Sequence, residues 1–285
     1  LERFFLIDGS SYIYRSFHAI RNLQTSTGFP TNAVYGFTTM FLRLISKEKP
    51  EYIAVAFDLP APTFRKKLFP DYKANRAAMP DKLRKQIPVI RKIISSLNVP
   101  VFELEGYEAD DILGTLAKLA EKRGVVVRVF TRDKDCLQLI TPNVKIVKEN
   151  SGAVMDAEKV MQRFGVEPGR LVEIWGLSGD VSDNVPGVPG IGEKTALRLI
   201  QEFGSIENLL DNLGGVGNTR VREKLEEFSD LAKLSKKLVT IDCNVPICCD
   251  FESCKRAVPD TEGLKQIFGE LEFKKLLDPG RFNGS

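Results

Sequence analysis

The chain has 285 residues, 43% hydrophobic and 28% charged, which is enough for one large core or two modest domains. No apolar run is long enough to span a membrane, and the opening LERFFLIDGS reaches Asp8 after the short run FFLI, so neither a membrane helix nor a signal peptide is expected. Net charge is only +3, from 41 basic and 38 acidic residues, so any preference for a charged partner must come from how the charge is distributed.

In chain order, RFFLIDG reads as a buried strand ending in Asp8. SYIYRSFHAI is a helix carrying the only histidine, His18, which is expected to pack or hydrogen-bond rather than catalyse. NAVYGFTTMFLRLISKE places Val34, Phe37, Phe41, Leu44 and Ile45 at helical spacing. EYIAVAFD is a second buried strand ending in an acid, Asp58. DKLRKQIPVIRKIISSLN is helical but interrupted by Pro88. VPVFEL is a short strand, and EADDILGTLAKLAEKRG is a helix closed by Gly124. VVVRVFTRDKD is a strand running into Asp133 and Asp135. Strands alternating with helices predict an α/β fold, a mostly parallel sheet with helices on both faces. After about residue 155 the strand signal fades into short helices joined by Gly/Pro turns, with Trp175 read as packing. The expected division is an α/β core over 1–155 and a helical region over 156–277, with 278–285 (DPGRFNGS) as a linker or cloning remnant. No internal repeat stands out. A start at Leu1 rather than Met fits a fragment or a trimmed chain.

Between Pro60 and Lys92 ten basic residues face two acids, a local charge of +8, so the remainder is net acidic. Arg65, Lys66, Lys73, Arg76, Lys82 and Arg84 can meet phosphates there, and Phe64, Phe69 and Tyr72 can stack bases. The plain alternative is a solvated loop with its aromatics turned inward.

The acids carry the sharper signal. Asp8, Asp58 and Asp133 each sit at or just past the C-terminal end of a strand, and in a parallel sheet those ends share the edge where open α/β sheets bind ligands. Glu108, Asp110 and Asp111 open a helix after another strand and approach the same edge, and Asp135, Asp180 and Asp183 follow in DKD and GDVSDN. Any one of these alone is best explained as a helix cap or turn residue. Together they predict hard-oxygen ligation of Mg²⁺ or Mn²⁺, since no sulfur or imidazole accompanies them. Two such ions can clamp the attacking and leaving oxygens of a phosphodiester.

NVPGVPGIGEKTALRLIQEFGSIENLL adds a Gly/Pro turn over about 185–204, framed by Gly187, Gly190 and Gly192. A helix from Glu193 to Phe203 follows, with Lys194 and Thr195 in its first turn. Backbone N–H groups at such a start hold phosphate without reading sequence. Five cysteines (Cys136, Cys243, Cys248, Cys249 and Cys254), an odd number, predict reduced thiols in a cytosol, and the spacing of the last four does not match paired zinc knuckles.

The segments LIDGSSYIYRSFHA, FDLPAPTFRKKLFPDYKANR, GYEADDILGTLA, DKDCLQLI and GDVSDNVPGVPGIGEKTA together resemble the flap endonuclease family, in the form of the 5′ nuclease domain of bacterial DNA polymerase I. The resemblance runs from about Phe4 to Leu277. It implies metal-dependent cutting of DNA at 5′ flaps, nicks and primer ends, RNA-primed ends included, leaving 5′-phosphate and 3′-hydroxyl products in replication and repair. Asp8, Asp58, Glu108 and Asp110 match the family's first metal group, with Asp111 as an adjacent supporting acid. Asp133, Asp135, Asp180 and Asp183 match the second group. Lys73 and Arg76 match the basic residues of a helical arch (about 60–92) near the scissile phosphate, with Lys82 and Arg84 extending that wall and Tyr72 near a displaced nucleotide. The turn at 185–204 becomes a helix-hairpin-helix that holds duplex and a K⁺ ion. A monomer in the bacterial cytoplasm, at the nucleoid, is implied, either free-standing or joined to a polymerase. Arg132 departs from the family, which commonly has a small residue there, and Val181 stands where a polar residue is frequent. A non-catalytic module that binds branched DNA, with structural acids, is the other class these residues allow. It predicts binding without turnover in Mg²⁺. No GxxxxGK[ST] loop supports nucleotide phosphoryl transfer.

Overall fold

The computed structural model describes residues 2–148 and 152–277. The predicted linker or remnant at 278–285 lies outside the described residues. Strand β1 (Arg3–Asp8) passes straight into helix α1 (Gly9–Ala19). The turn is tight, since a Cβ on Gly9 would come within 2.3 Å of the Phe57 ring. Then follow α2 (Asn32–Glu48), β2 (Tyr52–Ala56), and two short helices, α3 (Phe64–Leu68) and α4 (Asp81–Arg84). Pro88 sits in the first turn of α5 (Ile87–Ser96) rather than interrupting a longer helix, because its missing N–H costs nothing there. Next come β3 (Val101–Phe102), α6 (Ala109–Glu121), β4 (Val126–Thr131), a 3₁₀ turn at Asp135–Leu139, β5 (Val144–Lys148) and β6 (Ala153–Met155). The helical region comprises α7 (Ala157–Phe164), α8 (Leu171–Ser178), α9 (Glu193–Phe203), α10 (Ile206–Asp211), α11 (Thr219–Glu227) and α12 (Ser229–Val239). The last α-helix among the described residues is α13 (Thr261–Glu270).

One six-stranded sheet runs β3-β2-β1-β4-β5-β6, parallel except for β6. Both faces are covered, so side chains alternate between two cores. Phe4 and Leu6 face α6 and the helical region, while Phe5 and Ile7 face α2, α5 and α13. The chain leaves β1 in opposite directions, to β2 and β3 on one side and to β4 on the other. The crevice outside the β1 and β4 ends is therefore a topological switch point.

Three features differ from the sequence reading. The strands β5 and β6 had no expectation; VKIVK is short and carries two lysines, and β6 is only three residues. α13 leaves the helical region and packs Leu264 and Phe268 into the core against α5. A second hairpin also repeats the first. GGVGNTRVREKLEEF echoes PGIGEKTALRLIQEF, and Val216 N–H bonds to Leu213 O at 3.0 Å as Ile191 N–H bonds to Val188 O at 2.9 Å. The repeat is hard to read because only the turn glycines and a few apolar positions coincide.

Candidate metal centre

Eight of the nine predicted acids line one open cleft of about 910 Å³: Asp8, Asp58, Glu108, Asp110, Asp133, Asp135, Asp180 and Asp183. The parallel strands deliver the first of these. Asp8 also caps α1, its Oδ1 accepting Ser11 N–H at 2.9 Å, while Oδ2 accepts the Thr131 hydroxyl at 2.7 Å. Asp58 accepts the Ala109 N–H at 2.8 Å, which ties the end of β2 to the start of α6. Capping and clustering thus coexist in the same side chains.

Asp111 is the exception. It is 0% exposed and absent from the cleft lining. Arg65 forms a two-pronged pair with it, both N···O distances 2.7 Å, and Glu108 N–H (3.0 Å) and Asp242 N–H (2.8 Å) add to the set. Asp111 is therefore a structural counter-ion rather than a metal ligand. Arg65 is corrected with it: 1% exposed, it also donates to Leu238 O and Thr240 O and has no face for DNA.

The basic segment does not stand off as a helical arch. After α3 it folds through successive turns onto the acids. Tyr72 is corrected from a base-stacking role, being 4% exposed with its hydroxyl between Glu108 (3.1 Å) and Asp183 (3.3 Å). Lys73 takes a left-handed backbone (φ 55°) unusual for a residue with a Cβ, held by its N–H to Asp183 O at 2.8 Å. Its ammonium meets Glu108 Oε1 at 2.7 Å and Asp183 Oδ2 at 3.5 Å, and Arg76 pairs with Asp183. Lys66 is engaged locally, on Tyr72 O at 3.1 Å. Lys82 and Arg84 are exposed on α4 and do not line the cleft; Arg84 pairs with Asp81 at 3.2 Å.

Sequence reasoning missed the groups that fix these acids. Ser10 Oγ accepts Asp58 N–H (3.0 Å), Thr131 Oγ1 accepts Asp133 N–H (3.0 Å), and Ser182 N–H donates to Asp180 Oδ1 (2.7 Å). Lys134 donates to Asp180 Oδ2 at 2.8 Å. Asn75 and Asn184 cross-link the basic segment to the 180–184 turn, on Val181 O (2.7 Å) and Asp71 O (2.6 Å). The available signal was a Ser or Thr two residues from an acid, as in Thr131-x-Asp133 and Asp180-x-Ser182; no spacing links Ser10 to Asp58, 48 residues away.

Burial, then the neighbouring Asp58 charge, pushes the Asp8 carboxyl up to about 7, against the Thr131 hydrogen bond. Burial and the adjacent Asp133 push Asp135 up to about 8, and burial raises Asp110 and Asp133 as well. Burial also works against the Asp180 charge, but hydrogen bonds from Lys134 and Ser182 hold its carboxyl below the usual range. Lys73 keeps its charge through Glu108 and Asp183 despite burial. Among the described residues no three acids are already drawn together as a ligand cluster. The donor set nevertheless fits a hard divalent cation. It is all oxygen, its charge is incompletely offset, and the buried Asp135 Oδ1 has no hydrogen-bond partner.

A pH dependence follows. The raised carboxyls hold their protons higher when folded than the ordinary value of about 3.9 when unfolded. Their contribution to stability is full below about pH 4 and is lost as pH climbs through about 7 and 8. In chelator, the melting temperature should fall from pH 5.5 to 8.5, and Mg²⁺ should raise it more at the upper end. A flat profile would contradict this charge balance.

At the hairpin, Gly187 is corrected from a DNA contact. It is buried, its N–H donates to Ser235 Oγ at 3.0 Å, and its positive φ of 61° lets it lie against Gly179. Gly190 and Gly192 are exposed, Gly192 caps α9, and Lys194 and Thr195 occupy the first turn, where the Thr195 N–H bonds to Gly192 O at 3.0 Å and the Glu193 and Lys194 N–H groups lack helical partners.

An open α/β sheet whose switch-point edge holds eight carboxylates under a basic rim is laid out for cation-assisted phosphodiester hydrolysis. Comparison with known proteins agrees. Residues 3–165 match the family model described as 5′-3′ exonuclease, N-terminal resolvase-like domain, and residues 166–262 match 5′-3′ exonuclease, C-terminal SAM fold. A 5′-3′ exonuclease of Aquifex aeolicus is 43% identical over 97% of this chain and 94% of its own length. DNA polymerase I of Bacillus subtilis is 41% identical over 97% of this chain, which spans about a third (32%) of that polymerase. Among solved structures, T5 5′-exonuclease with bound zinc superposes with a TM-score of 0.72 at 21% identity, covering 95% of this chain and 99% of that one. The catalytic core of Rad2 in complex with DNA substrate gives 0.68 at 18%, covering 98% and 92%. The chain belongs to the 5′-3′ exonuclease family. No helix among the described residues is long and apolar enough to cross a membrane.

Proposed function

We propose that the cleft cuts DNA at 5′ flaps, nicks and primer ends, with Mg²⁺ or Mn²⁺ as two ions. The observation that carries this reading is the convergence of eight carboxylates with Lys73 and Arg76 in one open cleft. Asp8, Asp58, Glu108 and Asp110 would hold one ion, and Asp133, Asp135, Asp180 and Asp183 the other. Such ions activate water at neutral pH and offset charge on the leaving oxygen. The chain's own groups position the substrate. Lys73 and Arg76, which neutralise Glu108 and Asp183 here, present an ammonium and a guanidinium to the scissile phosphate. Thr131 and Ser182 hold the Asp8 and Asp180 carboxylates and Ser10 holds the Asp58 backbone, so these acids are pre-set, while Lys73 and Arg76 must exchange Glu108 and Asp183 for the phosphate. The first turn of α9, with Lys194 and Thr195, grips duplex backbone away from the cut, and K⁺ at the hairpin belongs to the same proposal.

Single-turnover cutting of a labelled 5′-flap duplex, beside an unbranched strand of the same sequence, tests the reading. Cuts should fall near the branch, and the duplex product should be sealed by DNA ligase without added kinase. Equal cutting of both substrates, or ends that cannot be sealed, would overturn it. Lys73→Ala should slow cleavage about 100-fold, the scale for loss of one donor that stabilises a transition state, with a much smaller loss of duplex binding. Equal losses would make Lys73 a plain phosphate contact.

A further inference from the structure

Five Lys and Arg side chains line the cleft, and four are engaged. Lys73 and Arg76 are held by Glu108 and Asp183, Lys134 by Asp180, and Arg15 reaches Met40 Sδ at 3.7 Å. Arg132 is exposed and makes no hydrogen bond or ion pair among the described residues. It is next in sequence to Asp133 yet unpaired in the most acidic region of the molecule. Its backbone is fixed from both sides, because Thr131 Oγ1 donates to Asp8 Oδ2 and accepts the Asp133 N–H. A guanidinium held at the mouth of a cleft without a protein counter-ion is open to an outside anion. Its planar donors suit a phosphodiester.

We propose that Arg132 is a substrate-positioning residue that binds a non-scissile backbone phosphate of the DNA strand in the cleft. The inference rests on the nuclease reading above. It makes Arg132 a binding determinant of this cleft, acting on the DNA strand and not on Asp133. The contact would act on capture of the strand and leave the chemical step largely unchanged. Abolishing one phosphate contact flattens the slope of log affinity against log salt by about 0.9.

The test is flap cleavage in Mg²⁺ by wild type, Arg132→Gly and Arg132→Lys across a KCl series. Melting curves confirm that each variant is folded. For Arg132→Gly, KM should rise about 3- to 10-fold at low salt with kcat within about twofold, and the salt slope of kcat/KM should flatten by about 0.9. Arg132→Lys should recover most of the slope. An unchanged slope with a lower Mg²⁺ requirement would overturn the proposal and assign Arg132 to neutralising Asp133. Wild type that binds the flap but never cuts it would overturn the nuclease reading, and this inference with it. Cutting by wild type with identical slopes in all three proteins overturns this inference alone.

Discussion

Asp135→Asn is expected to slow flap cleavage by about 100-fold or more while leaving DNA binding measurable. Asp135 is 8% exposed at the start of the 3₁₀ turn, where its N–H donates to Asp133 Oδ1 at 2.9 Å. Its Oδ1 has no partner, and burial beside Asp133 pushes its carboxyl up to about 8. Asparagine keeps the shape and removes the charge. A divalent cation would lose an anionic ligand, while the crowded acids would lose a repulsion. The same variant should therefore melt higher than wild type in chelator at pH 8, with the difference shrinking towards pH 5, where the wild-type carboxyl is already protonated. Loss of activity with gain of stability is hard to explain by misfolding. Unchanged turnover would remove Asp135 from the site.

Arg65→Ala is expected to cost about 3–5 kcal/mol of stability, the scale for removing one partner of a buried pair. That corresponds to a fall in melting temperature of roughly 10 °C. The guanidinium joins Asp111 on α6 to the Leu238 and Thr240 carbonyls at the end of α12, so it ties the sheet side of the molecule to the helical region. Removing it leaves a fully buried carboxylate and two carbonyls without their donor. Arg65→Lys should rescue little, because an ammonium cannot reproduce the two-pronged geometry. Thermal melts beside DNA-binding titrations separate the possibilities. Weaker binding at an unchanged melting temperature would return Arg65 to the DNA interface.

The Arg65–Asp111 pair marks where sequence reading reached its limit. Asp8, Asp58 and Asp133 were legible because strands buried on both faces read as continuous apolar runs, and parallel strands bring their ends to one edge. The α9 start was legible because Gly192 and Gly204 bracket an amphipathic run. Within EADD, Asp110 enters the cleft and Asp111 is buried under Arg65, a distinction set by which face of α6 packs against the segment after α12, where Asp242 N–H meets Asp111 and Val245 N–H meets Thr115. Arg65 itself sits in a basic run and looks like its exposed neighbours until folding buries it. Tyr72 and Gly187 failed similarly, each a residue type suited to DNA whose polar group finds a protein partner. The cleft's cation–carboxylate pairs, such as Lys134 with Asp180, depend on loops that carry no periodic signal.

The central claim is that the carboxylate cleft hydrolyses DNA through divalent cations. Its most direct test is to form the complex of protein and 5′-flap duplex in chelator, then add excess Mg²⁺ and follow a single turnover. No cutting is expected before the addition and one round of cutting near the branch after it, with Asp135→Asn bound but slow. Tight binding with no cutting in Mg²⁺ or Mn²⁺ would contradict the claim and leave a branched-DNA-binding module whose acids are structural.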